Sequence, residues 1–403
     1  ISKEKRKMKP QISSKYNWRK LTPDDGHYFF GYYDRNPWNG DLTKHLVMKA
    51  PQIQRLPARG ERAEVGLIDL EGHYEPLVTT RAWCHQQGCM ELFLKHRPDC
   101  FIFNDYEESE GRLVARIYQL GKGVVGRYEL PVYAISPDGK WAVSLNFSRI
   151  PRRGYSYADA VLSEDIHPAD PDADGLWRIN LETGEIKLIV SYRTMMERHP
   201  YAYSLPGQHV WMNHAIINCD STRVLWLFRQ CAESCKREHI KWKTFLYTSS
   251  KEGDDAECVL SECQWQQFIS HQIWGRTPNE ILVDADWTGN GHSAVVFDES
   301  RRPFIARELS KSHGGMAHMI FSPDGTKILA DSYPDSNQNQ ILTLLDVATG
   351  ACELLGTFHH EPVPGWETRC DLHPRWSPDG RYVTVDSTHD GKRGIYLLEL
   401  DKP

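Results

Sequence analysis

No apolar run in this 403-residue chain approaches the roughly 20 residues that cross a bilayer as a helix. Positive charge is not in excess either. Lys and Arg number 48 against 54 Asp and Glu, a formal net charge of −6, whereas a phosphate-binding face draws on a basic surplus. These absences argue against a membrane span and against a nucleic-acid partner. The basic opening Lys3-Glu-Lys-Arg-Lys7 reads as a solvated part of an N-terminal tail over residues 1–14. Regular cysteine spacing is lacking as well, although the chain has ten cysteines. Cys231-Ala-Glu-Ser-Cys235-Lys-Arg-Glu-His239 has some look of a zinc cluster, but no second pair follows at finger spacing. Buried free thiols, or one local disulfide, are expected. The opening Ile-Ser in place of Met is what removal of a leader would leave, and equally what a trimmed start would leave. A periplasmic or secreted monomer is the expectation.

What the chain has is a repeat. His214-Ala-Ile-Ile-Asn218, His271-Gln-Ile-Trp-Gly275, His318-Met-Ile-Phe-Ser322 and His373-Pro-Arg-Trp-Ser377 each put a histidine four residues ahead of the same turn. The last two continue into Ser-Pro-Asp-Gly, which recurs at Ser136 to Gly139. In that tetrapeptide Pro presets φ, Asp caps the backbone and Gly accepts φ > 0, so it joins two strands of a hairpin. Thr-Gly turns at Gly184 and Gly350 mark second hairpins. Two hairpins make a four-stranded antiparallel blade. Units begin near residues 29, 83, 129, 205, 263, 311 and 364, which predicts an all-β, seven-bladed β-propeller formed by residues 1–403 as a single domain. Tyr16 to Leu21 is the predicted N-terminal strand that closes the last blade and removes an exposed edge.

In such a ring the inner strands start, and the second strands end, on one face around the axis, here called upper. The repeat places His214, His271, His318 and His373 there, with Asn104, Arg149, Arg229, Asp284, Asp331 and Asp386 at strand ends. The histidines read either as ligands of a structural divalent metal in the central channel or as a hydrogen-bonding floor. A second group is His85, in Trp83-Cys-His-Gln-Gln-Gly88, with Tyr133 and Arg149 across one hairpin. Arg149 would neutralise a uronate carboxylate while Tyr133 and His85 exchange protons; the alternative is a binding or structural cluster without chemistry. A third candidate is His27, in the glycine-flanked aromatic stretch Gly26 to Trp38. That stretch reads as a sugar pocket, in which rings stack on sugar faces, or as core with His27 capping a loop.

At these residues the chain resembles carbohydrate-active seven-bladed propellers: the ulvan lyases, more distantly the oligogalacturonate lyases, and the α-L-rhamnosidases of glycoside hydrolase family 145. The resemblance rests on Gly31-Tyr-Tyr-Asp-x-x-Pro-Trp38, the Trp83-x-x-Gln-Gln-Gly88 blade, the Tyr133/Arg149 pair and His373-Pro-Arg-Trp-Ser-Pro-Asp-Gly380, and it spans essentially the whole chain. Ulvan lyases imply a second histidine where this chain has Asn104, which breaks their pattern. Oligogalacturonate lyases imply a manganese site in which His373 has two partners, at the positions of Asp371 and Thr368. The rhamnosidases imply a single essential histidine near the amino end, matched by His27 with His45 as fallback, working on the face opposite to the lyase-like one. Strand order instead places His27 near the upper face.

The resemblance thus implies a glycosidase that releases terminal L-rhamnose from L-rhamnose-α-1,4-D-glucuronic acid caps of arabinogalactan-type glycans, as gut Bacteroides do, with His27 as general acid/base and no cofactor required. The sequence singles out no pair of carboxylates of the usual glycosidase kind. The alternatives are a polysaccharide lyase cleaving beside a uronic acid through His85, Tyr133 and Arg149, and a non-catalytic glycan-binding propeller.

Overall fold

In the computed structural model, residues 12–160, 170–232, 242–260, 270–289, 291–311 and 317–400 are described. The first strand is β1 (Arg19–Lys20). Blade one follows as β2 (His27–Phe29), β3 (Lys44–Ala50), β4 (Ala63–Asp69) and β5 (Tyr74–Thr80). Blade two is β6 (Leu92–Leu94), β7 (Arg97–Glu107), β8 (Arg112–Gln119) and β9 (Gly123–Tyr128). Blade three is β10 (Ala134–Ile135), β11 (Trp141–Leu145), β12 (Gly175–Asn180) and β13 (Ile186–Ser191). Blade four is β14 (Gln208–Ile217), β15 (Arg223–Ala232), β16 (Lys243–Ser250) and β17 (Glu257–Leu260). Blade five is β18 (Ser270–Trp274), β19 (Glu280–Ala285), β20 (Ser293–Asp298) and β21 (Arg307–Lys311). Blade six is β22 (Met319–Phe321), β23 (Lys327–Asp331), β24 (Asn339–Asp346) and β25 (Cys352–His359). Blade seven is β26 (Arg375–Trp376), β27 (Tyr382–Ser387) and β28 (Gly394–Glu399), and β1 is its fourth strand.

Every neighbouring pair in a blade is antiparallel, so the predicted seven four-stranded blades are what form. Closure is by the amino end, with Arg19 opposite Leu397 and Lys20 opposite Tyr396. The closing strand is shorter than the predicted Tyr16 to Leu21. The tail is shorter too: Ser13 pairs with Thr357 through hydrogen bonds of 3.0 and 2.9 Å, which ties the chain to β25. The remainder of the predicted tail, the blade start near 263, and Cys235 and His239 lie outside the described residues.

The three Ser-Pro-Asp-Gly turns share one set of bonds. Ser136, Ser322 and Ser377 each donate to the Asp two residues on at 2.6 Å, and each accepts the backbone N–H of the returning strand at 2.9–3.0 Å. Asn39 and Asn218 accept the returning strand's N–H groups in blades one and four. The same turn chemistry therefore survives a change of residue.

Apolar cores lie between adjacent blades, with Trp38, Trp83, Trp211 and Trp226 sealed inside. The eight described cysteines are all free thiols, and most are buried. No helix among the described residues is long and apolar enough to cross a membrane.

The axis itself is filled by residues 31–35. The Tyr32 ring meets His214, His318 and His373, of blades four, six and seven, at centroid distances of 5.3, 5.6 and 4.8 Å. Tyr33 packs with Ile273 and Met319, of blades five and six. Arg35 donates to the carbonyls of Gln87 and Tyr133, of blades two and three, at 3.2 and 3.3 Å. Gly31 permits this passage: its φ is +145°, and a Cβ there would meet the Gln87 carbonyl at 2.9 Å. Most of the aromatic run Tyr28 to Tyr33 is therefore core, and only Tyr32 and Tyr33 reach a cavity.

Candidate functional site

The repeated histidines are aimed by strain. His214, His271 and His373 have φ of +50°, +51° and +44°, a region that residues other than glycine rarely occupy. In β14 and β18 the ladder register slips across this position, between Asn213 and Ile216 and between Ser270 and Ile273. Such a bulge redirects a side chain, and backbone strain of this kind collects at working sites. Here it turns imidazoles from three blades toward the axis. His318 reaches the same floor without a positive φ, its ring 4.5 Å from His271 and 4.4 Å from His373.

Above this floor opens a cavity of about 970 Å³. Its walls carry Arg152, Arg153, Arg229 and Arg369 but one carboxylate among the described residues, Glu367. That carboxylate is occupied: Arg153 holds it at 2.7 Å and the Gly154 N–H at 2.8 Å. Arg229 donates to the Tyr155 hydroxyl at 3.0 Å and lies over Trp242, its Nε is buried without an acceptor, and it has no carboxylate partner among the described residues. Arg369 is sandwiched by Trp366 and Tyr333, at 4.2 and 4.9 Å, while its Nε reaches Asp371 Oδ1 at 2.9 Å. Two of the four cations, Arg152 and Arg229, thus have no carboxylate partner among the described residues, and aromatic faces stand beside Arg153, Arg229 and Arg369.

The floor is held neutral. Burial lowers the pKa of His214, His271 and His373, and brings His318 down to about 4. His271 Nε2 is 2.9 Å from the Tyr333 hydroxyl, and its Nδ1 faces Asp284 at 3.8 Å. Burial also keeps the Tyr333 phenol protonated by raising its pKa. His214 is fixed through Gln87, whose Nε2 is 3.4 Å from its Nδ1.

A divalent cation has one fitting donor set among the described residues, His318, Asp371 and His373. His318 Nδ1 bonds Asp331 at 3.0 Å and His373 Nδ1 bonds the Gly31 carbonyl at 2.9 Å, so both rings present Nε2. His373 Nε2 and Asp371 Oδ2 are buried without a directed hydrogen bond, although Arg369 Nη2 stands 2.9 Å from that oxygen off line. Two imidazoles and a carboxylate with their bare atoms together fit a cation such as manganese or zinc. Of the four predicted ligands only His318 and His373 are in this set. His214 and His271 are committed to Gln87 and Tyr333. Thr368 is no ligand, since its hydroxyl donates to the Gly365 carbonyl.

The predicted His85/Tyr133/Arg149 cluster is not assembled. Arg149 turns away to the Val210 carbonyl at 2.9 Å and stacks on Tyr192. The cation beside Tyr133 is instead Arg35, 5.7 Å from its ring. The Tyr133 hydroxyl is spent on Gln87 and on the backbone N–H of His214, each at 3.0 Å. His85 is buried against the Arg55 carbonyl, with its pKa down to about 4 through burial and Arg393. Asn104 is a structural bridge, exchanging bonds of 2.8 Å with Val132. None of these four lines the cavity.

His27 stands opposite Ala50, the upper end of β3, so strand order places it correctly. It lies outside the cavity, half-buried, with Nδ1 accepting from the Arg393 N–H at 3.3 Å. Burial, then Lys392, Arg393 and Lys20, lowers its pKa. His45 is sealed in the core between Trp38 and Phe30.

Sequence reasoning missed Tyr32, Tyr333, Arg369, Arg152 and Trp242. The repeat does not mark Tyr32: the blade-one turn residue is Asn39, and the position four before it is Arg35. Tyr333 follows the strand-end Asp331 by two residues.

No family model matches this chain, and no curated protein matches it in sequence. Solved structures resemble its fold. An oligogalacturonate lyase in complex with manganese aligns over 98 % of this chain and 97 % of its own, with a TM-score of 0.63 and 15 % identity. The oligogalacturonate lyase of Vibrio parahaemolyticus aligns over 98 % and 99 %, with a TM-score of 0.58 and 14 % identity. The β-propeller domain of the Trilobed protease from Pyrococcus furiosus aligns over 93 % and 97 %, at 0.50 and 9 %. At these identities the likeness is one of fold.

Proposed function

We propose that this chain is a carbohydrate-active enzyme that binds a uronate-bearing glycan in the upper cavity and cleaves it by β-elimination. The observation that carries the reading is Arg229, a guanidinium with no carboxylate partner among the described residues, standing over a floor of neutral imidazoles. Elimination asks for three things: a cation on the uronate carboxylate, a base for the proton on the adjacent carbon, and an acid for the leaving oxygen. Arg229 meets the first. The Tyr333–His271 pair meets the other two, with Tyr333 oxygen taking the carbon-bound proton as its own passes to His271 Nε2. The C–H and C–O bonds break, a C=C bond forms, and the pair returns a proton to the leaving oxygen. Asp284 faces His271 Nδ1 and would steady the charged ring. A cation bound by His318, Asp371 and His373 would act as a Lewis acid towards the carboxylate.

Hydrolysis of the usual kind needs two carboxylates free to act, and Glu367 is bound to Arg153. The lone-histidine reading, release of terminal L-rhamnose from glucuronic acid by His27, is supported by that ring's access to solvent. Burial, and then the cations around it, favour its neutral form, which suits a general acid poorly. Both enzyme readings support a uronate-containing glycan as partner.

One incubation with gum arabic and with polygalacturonate, read by ultraviolet absorbance and by free-sugar analysis, tests the proposal. Elimination gives a new absorbance from the unsaturated uronate and no free rhamnose. Free rhamnose without absorbance, abolished by His27→Ala, would replace this reading by the hydrolytic one.

A further inference from the structure

Arg152 is a second cation in the cavity wall with no anion of its own. Its Nη2 donates to the Pro57 carbonyl, its Nη1 is buried without an acceptor, and no described residue makes an ion pair with it. The carboxylate that acts on it is Asp159, but that group is filled. Arg81 takes both its oxygens, at 3.0 and 2.5 Å, and the Gly60 N–H takes them at 3.1–3.2 Å. Burial, and then the like charges of Arg55 and Arg59, lower the pKa of Arg152 against the opposing pull of Cys84 and Asp159. A half-buried guanidinium is costly, and the Pro57 carbonyl and the distant pull of an already filled Asp159 offset it only in part.

Arg152 belongs to the loop after β11, whereas Arg229 belongs to β15, and both line one cavity of about 970 Å³. That volume is at the upper end of the range for sites that bury a drug-sized ligand, so there is room for more than one sugar ring. Resting on the elimination reading of this cavity, we infer that Arg152 forms a second anionic subsite. The ligand is then an oligosaccharide carrying two negative groups, a uronate at Arg229 and a further carboxylate or sulfate ester at Arg152. Trp242 and Trp366 supply ring faces alongside, since Arg229 and Arg153 stack on the first and Arg369 on the second.

Calorimetry on the full chain tests this with five probes: galacturonate, digalacturonate, its carboxyl-reduced neutral form, glucuronate, and glucuronate bearing a sulfated neighbouring sugar. The digalacturonate or the sulfated probe is expected to bind about tenfold or more tightly than its single-charge counterpart, the scale of one charge-assisted hydrogen-bonded contact. Which of the two shows the gain identifies the second anion. In Arg152→Gln, with its melting temperature checked, that ratio collapses to below about threefold. Arg152→Lys keeps the charge without the planar fork and falls between. Equal affinity for one and two charges, or a ratio that survives Arg152→Gln, overturns the second subsite while leaving elimination intact. Binding of none of the charged probes overturns the reading of the cavity itself.

Discussion

The Tyr333 hydroxyl, two residues past the end of a blade-six strand, is 2.9 Å from His271 Nε2 at the start of a blade-five strand. The pair spans two repeats, and each member is held by its own blade. Removing the hydroxyl alone is therefore a clean cut. Tyr333→Phe is expected to lower kcat by about 10²–10⁴-fold, the usual worth of a positioned acid/base group, with KM changed little. Steady-state absorbance assays on a uronide would show it. A rise in KM with kcat intact would instead make Tyr333 a binding group.

The histidine and carboxylate set at the axis makes a prediction that does not depend on turnover. After dialysis against a chelator, added Mn²⁺ should raise the melting temperature and saturate, worth about 2.7 kcal/mol at one hundred times Kd. His373→Gln or Asp371→Asn should remove the response. Scanning calorimetry with and without the metal measures it, and a flat response to millimolar Mn²⁺ counts against the site.

Acid should destabilise the fold. Nine histidines, His27, His45, His85, His214, His271, His318, His360, His373 and His389, are depressed, mainly by burial. The unfolded chain protonates them first, so their contribution is full above about pH 6.5. It is lost as the pH falls towards the value of about 4 reached by His85, His318 and His389. Asp34, Glu91, Asp174 and Asp331 are raised by burial and work in the opposite sense, but they are fewer. Melting temperature should fall steadily from pH 6.5 to 4, with protons taken up on unfolding. A constant melting temperature over that range would contradict the assigned neutrality of the floor.

Blade seven contains a buried charge triplet, Arg375–Asp386–Arg393, with contacts of 2.7 and 2.9 Å. Asp386→Ala leaves two guanidiniums uncompensated and should cost about 3–5 kcal/mol, read from chemical denaturation. A cost under about 1 kcal/mol would mean that the carbonyls of Gly31 and His85, which these arginines also reach, carry the charges unaided.

The ring and its closure were legible because their signals are local. A Ser-Pro-Asp-Gly turn fixes its own hairpin, and a histidine four residues ahead of the turn holds the same place in four of the seven blades. The working cavity was less legible because its partners come from different blades. Tyr133 and Arg149 share a hairpin, yet Arg149 is drawn to Val210 and Tyr192 of later segments, while Arg35 arrives from blade one to lie beside Tyr133. His271 was visible as a repeat member, whereas Tyr333 has no motif around it and is picked out by a contact between blades. Bulges at His214 and His271 leave no mark in composition, since the residues there are ordinary and the φ is not.

The stretch from Gly31 to Arg35 stoppers the ring. Many propellers are hollow, but here, among the described residues, the chain crosses the axis beneath the cavity. A polymer cannot be drawn through it like thread through a bead. Whatever enters over Trp366 must leave the same way, so a long chain can offer only a terminus or a short exposed stretch. Each product then has to clear the rim before the next substrate arrives.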